Sequence, residues 1–599
     1  MCSKIFRGIG LVIIIGLSLW SCSSVNSIVT IPANQQFILG ELENSQFNAD
    51  LENLSAEKVE LLLVDNQTEQ IENKIQLNGG EKRIIQVSIN QKAIIKNNSD
   101  KRVKIKTKLN KSVEGMRYEV NGVDQKMLLK DSLVQDVALY KRALEGLHPG
   151  LLRYNTAQNI DKEFDRFLND LPVRITEADF FVRLSKLTAK IKCGHTYLNP
   201  WNMDAAMRER LFSGNIYLPL GIKVIDGQFY VVENVSENDA IEQGAEIKSI
   251  NGISALEIYE KLKSISKTDG SNTNSVDHYL SLDNFQNSQW EAFDIYFSLL
   301  YPIQDGKVVI KYSNYNKSQT ETATITTLNK KERERRIIDT YGKDHLENKQ
   351  WTLQIMNDDL AIMKIGTFAI WEFKGFDHKR WLDQKFEELK SKGIENLVID
   401  IRGNGGGLTE PANELISYMI TDNLLCNREK KVLVKTVKYD EQVLPHITPK
   451  IDFLVAGLPG EYYSAEDNGL YKLLVGDDCT DISPKENAFK GNVYIFGNGT
   501  NVSATYTLLD KAKENSFATY VGEASGGNLQ GINGGEYAFF TMPYSKMEID
   551  IPLKFFSPGI ERSDSGVTPD VEIRIDQEDI FLNRDPYLNY VIKDIENKN

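Results

Sequence analysis

Cysteine and histidine are both scarce, five and six in 599 residues. Beyond Cys2 and Cys22 near the start, only Cys193, Cys426 and Cys479 remain. Three scattered cysteines make neither a disulfide framework nor a metal-ligand cluster, so no metal and no cofactor is expected, and one bridge stays open. Positive charge is also lacking. The formal net charge of −14 argues against a nucleic-acid partner. The one long apolar run, Ile9–Leu19, is too short for a good membrane span. Repeats, low-complexity blocks and the Gly-x-Ser-x-Gly elbow are absent. What remains is ordinary globular composition, 41% hydrophobic and 26% charged, on a chain too long for one core.

Two stretches carry the chemistry. In Glu395–Gly407, E-N-L-V-I-D-I-R-G-N-G-G-G, the segment Asn396–Arg402 reads as a buried strand running into Gly403, Gly405, Gly406 and Gly407. A helical stretch follows over Thr409–Ile420, with Thr409 at a capping position. Strand, glycine loop and helix gather backbone N–H groups where negative charge can develop, although glycine loops also bind phosphates or merely turn. In the second stretch the apolar strand Asn492–Phe496 leads through Gly497–Thr500 into N-V-S-A-T-Y-T-L-L-D-K-A-K. There Val502, Tyr506, Leu509 and Ala512 fall at helical spacing. Ser503 then sits in the first turn of a helix, with the N–H of Ala504 free to face an oxyanion. An N-capping serine is the commoner fate of such a residue.

Together these stretches resemble the C-terminal processing (tail-specific) and tricorn serine peptidases. L-V-I-D-I-R-G-N-G-G-G, N-V-S-A-T-Y-T-L-L, Y-V-G-E-A-S-G-G-N (Tyr520–Asn528) and G-V-T-P-D (Gly566–Asp570) occur in family order. The resemblance covers roughly Asp131 to Asp570. It implies a multidomain α+β chain with a crotonase-like α/β core, hydrolysing peptides or unfolded protein tails with Ser503 as nucleophile.

Read in order, residues 1–21 form a signal peptide, with Lys4 and Arg7 ahead of the apolar run. L-W-S-C at Leu19–Cys22 resembles a bacterial lipobox, which implies a lipid on Cys22 and a place in the cell envelope, anchored to the outer membrane. Residues 22–122 read as a β-sandwich of short strands, among them Val59–Val64, Arg83–Val87, Ala93–Ile95 and Val103–Ile105. A helical domain over 123–205 ends K-I-K-C-G-H-T-Y-L. His148 before Pro149 reads as a structural helix-end residue. Over 206–330, L-P-L-G-I-K-V and G-A-E-I-K-S-I-N-G-I look like a PDZ module. That likeness implies Leu220, Gly221 and Ile222 as a peptide-binding loop, or alternatively a domain that only packs on the core. Its polar insert Lys267–Ser275 reads as an exposed loop, and Lys330–Arg336 as a solvated face or linker. The peptidase core spans 350–576 with alternating strands and helices, and 577–599 form a helical tail.

The resemblance offers two catalytic solutions. Processing peptidases use a lysine after G-E-A-S-G-G, where this chain has Asn528. The tricorn branch uses a histidine in a Gly-His-Thr context, which nominates His195, and a glutamate, which nominates Glu561. Gly405 or Gly406 would join Ala504 in the oxyanion hole. A histidine titrating near ~6.5 would tie activity to that range. Cys193, where the family has an acid, offers a less favoured nucleophile, since no second histidine lies nearby to activate it. Asp400 and Arg402 read as structural pairs. A peptidase fold that has lost turnover and acts as a binding or scaffold lipoprotein is the different-class alternative. Oligomeric state is not legible.

Overall fold

The computed structural model describes residues 25–598 except 32–34, 42, 44, 67, 69, 100, 112, 114–115, 121–125, 215, 283–291, 304, 347–350, 427–428 and 475–480. The leader, Cys22 and Cys479 therefore lie outside the described residues. The chain forms two compact units, Met1–Asp124 and Gln125–Asn599.

The first unit consists of two antiparallel sheets. One orders Val25–Ile31, Val103–Leu109, Phe47–Asn53 and Lys82–Val87, and the other Ile71–Leu77, Val59–Asp65, Gln91–Lys96, Gln35–Leu39 and Arg117–Val120. Strict in-out alternation, as in Val103–Leu109, sends Ile31, Phe47, Leu51, Leu61, Leu77, Ile95 and Ile105 from both sheets into one core. The four strands expected from sequence are present. Phe47–Asn53, F-N-A-D-L-E-N, escaped notice because its outward positions are Asn, Asp and Glu.

The second unit begins with helices Lys130–Leu147, Ala157–Asn169 and Glu177–Ala189, the latter two capped by Thr156 and Thr176. Next comes an antiparallel sheet ordered Leu220–Ile225, Gln228–Asn234, Glu246–Ile250, Lys307–Ser313 and Glu321–Thr326. These regions share one hydrophobic core with Ala538, Phe540, Ile549 and Ile551 of the peptidase region. Lys330–Tyr341 is a helix rather than a linker, and Arg333 turns inward to Asp294 at 3.1 Å.

The peptidase region is built on a six-stranded sheet. Leu360–Ile365, Asn396–Asp400, Asn492–Gly497, Thr519–Gly522 and Val571–Glu572 run parallel, and Trp351–Ile355 closes one edge antiparallel. Helices His378–Ser391, Thr409–Ser417 and Ser503–Asn515 cover one face. The terminal helix Pro586–Lys598 covers the other. Burial on both faces explains the unbroken apolar runs L-V-I and V-Y-I-F. Arg402 clamps the strand end: its guanidinium donates to Asp400 at 2.7 and 2.9 Å and to Asp585 at 2.8 and 3.1 Å. A second, antiparallel sheet contains Ile532–Thr541 and Glu548–Ser557.

Candidate active site

Asn396–Asp400 and Asn492–Gly497 pair in register and end together, so their two glycine loops leave the same end of the sheet. Two buried amides join these loops. Asn501 Nδ2 donates to the carbonyls of Ile401 (2.7 Å) and Asn404 (3.1 Å), and its Oδ1 accepts the N–H of Asn498. Asn404 Nδ2 donates to the Ile365 carbonyl at 3.0 Å, while its Oδ1 accepts from Gly406 N and Thr505 Oγ1, each at 2.9 Å. Both side chains are fully buried. The carbonyl of Asn501 also receives the N–H groups of Gly526 and Gly527 at 3.1 Å.

Ser503 opens its helix with φ +54°, in the left-handed region that a non-glycine residue adopts at a cost of roughly 1–2 kcal/mol. It does not cap. The N-cap is Val502 and no side chain makes a cap bond, so the Oγ is left for other work. Thr409 does not cap either; Leu408 holds that position.

Gly406, at φ +109°, lies directly against the serine: a Cβ there would stand 2.8 Å from Ser503 Cβ and 3.1 Å from Ala504 N. Its own N–H is given to Asn404, which corrects the expectation that it could face an oxyanion. The N–H groups of Gly405 and Ala504 make no hydrogen bond among the described residues.

His195 and Ser503 line one small cavity, together with Lys267, Asp269, Ser275, Tyr279 and the Gly526–Gly527 backbone. The cavity thus brings together residues more than 300 positions apart. Behind the histidine stands His148. Gly150 N donates to its Nδ1 at 3.0 Å, so its Nε2 carries the proton and donates to Thr196 Oγ1 at 2.9 Å. His148 is buried and structural, as expected, and it fixes the Gly-His-Thr turn. Burial, with Lys267 as a second cause, pushes His195 down to about 3. The imidazole is therefore neutral across the whole neutral range, and the expected dependence near ~6.5 does not belong to it. Its Nδ1 is buried without a hydrogen-bond partner among the described residues.

Other expected residues stand elsewhere. Glu561 is exposed, with no hydrogen bond or ion pair among the described residues, and does not reach the cavity. Next to it, Arg562 is held by Asp510 at 2.7 and 2.8 Å. The carboxylate that turns inward is Asp564, accepting from Asn528 Nδ2 at 2.7 Å and Ser271 N at 3.0 Å. Asn528 is fully buried and also donates to the Asp269 carbonyl, a structural role at the position where a lysine base was considered.

Leu220, Gly221 and Ile222 are buried in a strand whose outer edge is already occupied, with Leu282 N on the Ile222 carbonyl and Ser281 Oγ accepting Val224 N. That edge is closed to an added peptide. Cys193 is a buried free thiol accepting from Asn533 Nδ2, and burial raises it, the opposite of an activated nucleophile. Cys426 is disulfide-bonded.

The insert Lys267–Ser275 is the largest departure from the sequence reading. Far from being a free loop, it walls the cavity. Asn272 Nδ2 donates to the Ser525 and Gly527 carbonyls (3.0 and 2.6 Å), and Gly270 N to Lys192 O at 2.9 Å. Lys267 and Asp269 reach the serine's cavity in this way. The signal missed was the run of Ser, Asn and Thr after Gly270, whose side chains supply donors to neighbouring backbone as readily as to water.

A serine lifted on a strained helix start, between two glycine loops of a parallel sheet, belongs to a serine-type peptidase. The model of Peptidase family S41 matches residues 364–573, so that stretch is similar to the peptidase domains of the family. Among solved structures, CPAF complexed with lactacystin is similar at 13% identity and TM-score 0.53, over 78% of this chain and 97% of that one. A serine-to-alanine variant of CPAF is similar at 14% identity and TM-score 0.54, over 78% and 96%. These likenesses establish the shared fold. No curated protein matches the sequence.

The strain at Ser503 is testable apart from chemistry. Ser503→Gly should be more stable than Ser503→Ala by about 1 kcal/mol, because only glycine accepts positive φ freely. At an unstrained helix start the order would reverse, and that result would contradict the geometry.

Proposed function

We propose that this chain hydrolyses peptide bonds of peptides or unfolded protein tails through Ser503, with His195 as base and the N–H groups of Gly405 and Ala504 as oxyanion hole. The observation that carries this reading is the shared cavity: an uncapped, strained serine and a neutral imidazole line one space. Attack by Oγ moves the carbonyl electron pair onto oxygen, and the two N–H groups meet that charge as it forms. Glu561 is not part of the proposed machinery, since it is exposed. The core is read as crotonase-like, the first unit as a β-sandwich, and the 220–326 sheet as a PDZ-like module that walls the site rather than receiving a free C-terminus.

A fluorophosphonate probe should label one residue, Ser503. Labelling and peptide cleavage should disappear in Ser503→Ala and fall by ~10²–10⁴ in His195→Ala. Undiminished labelling of Ser503→Ala would remove the nucleophile. With the 220–225 edge closed, peptides with free and amidated C-termini should be cleaved with similar kcat/KM.

We further propose export to the cell envelope with a lipid on Cys22. Support comes from the leader, the L-W-S-C sequence and the disulfide at Cys426, which suits an oxidising compartment. Cys22→Ala should move the protein from the membrane to the soluble fraction; equal membrane retention would overturn the anchor.

A further inference from the structure

The cavity holds a second nitrogen base. The proposed reaction asks His195 to become an imidazolium, and its surroundings do not hold that charge. Nδ1 is buried without a partner among the described residues, Glu561 is exposed, and the charged group acting most directly on the ring is a lysine, of the same sign as an imidazolium. Lys267, on the same cavity wall, is furnished for a cation. Its Nζ stands 4.0 Å from the centre of the Tyr197 ring and 5.5 Å from that of Tyr279. Asp550, held by Asn199 Nδ2 at 3.1 Å and Asn202 Nδ2 at 3.4 Å, attracts it across the cavity wall. Asp269, which also lines the cavity, is directed toward Arg153 at 3.9 Å.

Resting on the Ser503–His195 reading, we propose that Lys267 is a catalytic residue that carries the proton released by Ser503. The Oγ–H bond breaks as the Oγ–carbon bond forms, and the carbonyl π pair becomes the oxyanion. The imidazole takes the proton on one nitrogen and releases its own from the other to the neutral amine Nζ. When the tetrahedral intermediate collapses, the carbon–nitrogen bond of the substrate breaks and the proton returns by the same path to the leaving amine. Nothing is oxidised or reduced. The cation then rests on Lys267, among the Tyr197 and Tyr279 rings and the attracting Asp550 carboxylate.

The path also has a direction. Burial pushes Lys267 down to about 7, leaving a substantial neutral fraction at neutral pH, while His195 lies at about 3. A proton on the ring therefore moves downhill to the amine. A lysine that is already protonated can neither accept nor tolerate an adjacent imidazolium. Activity should consequently fall as pH drops through about 7. The other groups around Lys267 are Asp550 and Asp269, both pushed up to about 6 by burial, and the Cys193 thiol and the Tyr197 and Tyr279 phenols, all raised by burial and neutral there.

The test is the pH dependence of peptide cleavage and of fluorophosphonate labelling in wild type, Lys267→Met and Lys267→Arg, with melting curves for each. Wild type should show an acid limb near 7. Lys267→Met should lose ~10²–10⁴ in kcat together with that limb, and Lys267→Arg, charged throughout, should be as slow without recovery at alkaline pH. Lys267→Met with wild-type kcat and an unmoved limb overturns the proposal while Ser503 labelling persists. Absent labelling in wild type would instead overturn the nucleophile. Should Lys267→Met fail to fold, Lys267→Arg at wild-type rate, or a wild-type rate flat through pH 7, is the overturning result.

Discussion

Two buried asparagines hold the site together. Asn501 ties its own loop to Ile401, Asn404 and the Gly526–Gly527 turn, while Asn404 ties the Gly403–Gly407 loop to Ile365 and to the serine helix through Thr505. An unsatisfied buried amide costs about 1–3 kcal/mol, so each bond in this pair constrains the others. The strained φ of Ser503 persists because loops on both sides are fixed by these amides. Gly406 completes the arrangement by leaving no side chain between its loop and the serine.

The remaining sequence motifs form a second brace. Ser525 N donates to the Val567 carbonyl at 3.0 Å and Ser525 Oγ accepts Val567 N at 2.9 Å, which joins G-E-A-S-G-G to G-V-T-P-D. Asn528 then carries the brace to Asp564 and the Asp269 carbonyl. Motifs far apart in sequence thus meet as one hydrogen-bonded frame, and the insert from the 220–326 sheet is locked to it.

Much of this was legible, because parallel strands buried on both faces must be apolar throughout and glycine must stand where another segment lies directly against the loop backbone. L-V-I-D-I-R-G-N-G-G-G and N-V-Y-I-F-G-N-G-T declare both constraints, and helical spacing after Val502 placed Ser503 in the first turn. The Asp400–Arg402 clamp was also foreseen. Polar connections were not legible. Lys267–Ser275 has the composition of a solvated loop, and only its backbone acceptors in other segments show that it is anchored to them. Glu561 and Asp564 illustrate the same limit: three residues apart in an irregular segment, one faces solvent and one faces Asn528, and no periodicity distinguishes them. The edge of Leu220–Ile225 looked open because its closing strap, Ser281–Leu282, lies more than 50 residues away.

The most direct measurement is a crystal structure of the enzyme with a peptidyl boronate. The account predicts a tetrahedral boron bonded to Ser503 Oγ, with one boronate oxygen about 2.7–3.1 Å from both Gly405 N and Ala504 N. A boronate bound through another residue, or a Ser503 adduct whose oxygens face away from those two N–H groups, would contradict it.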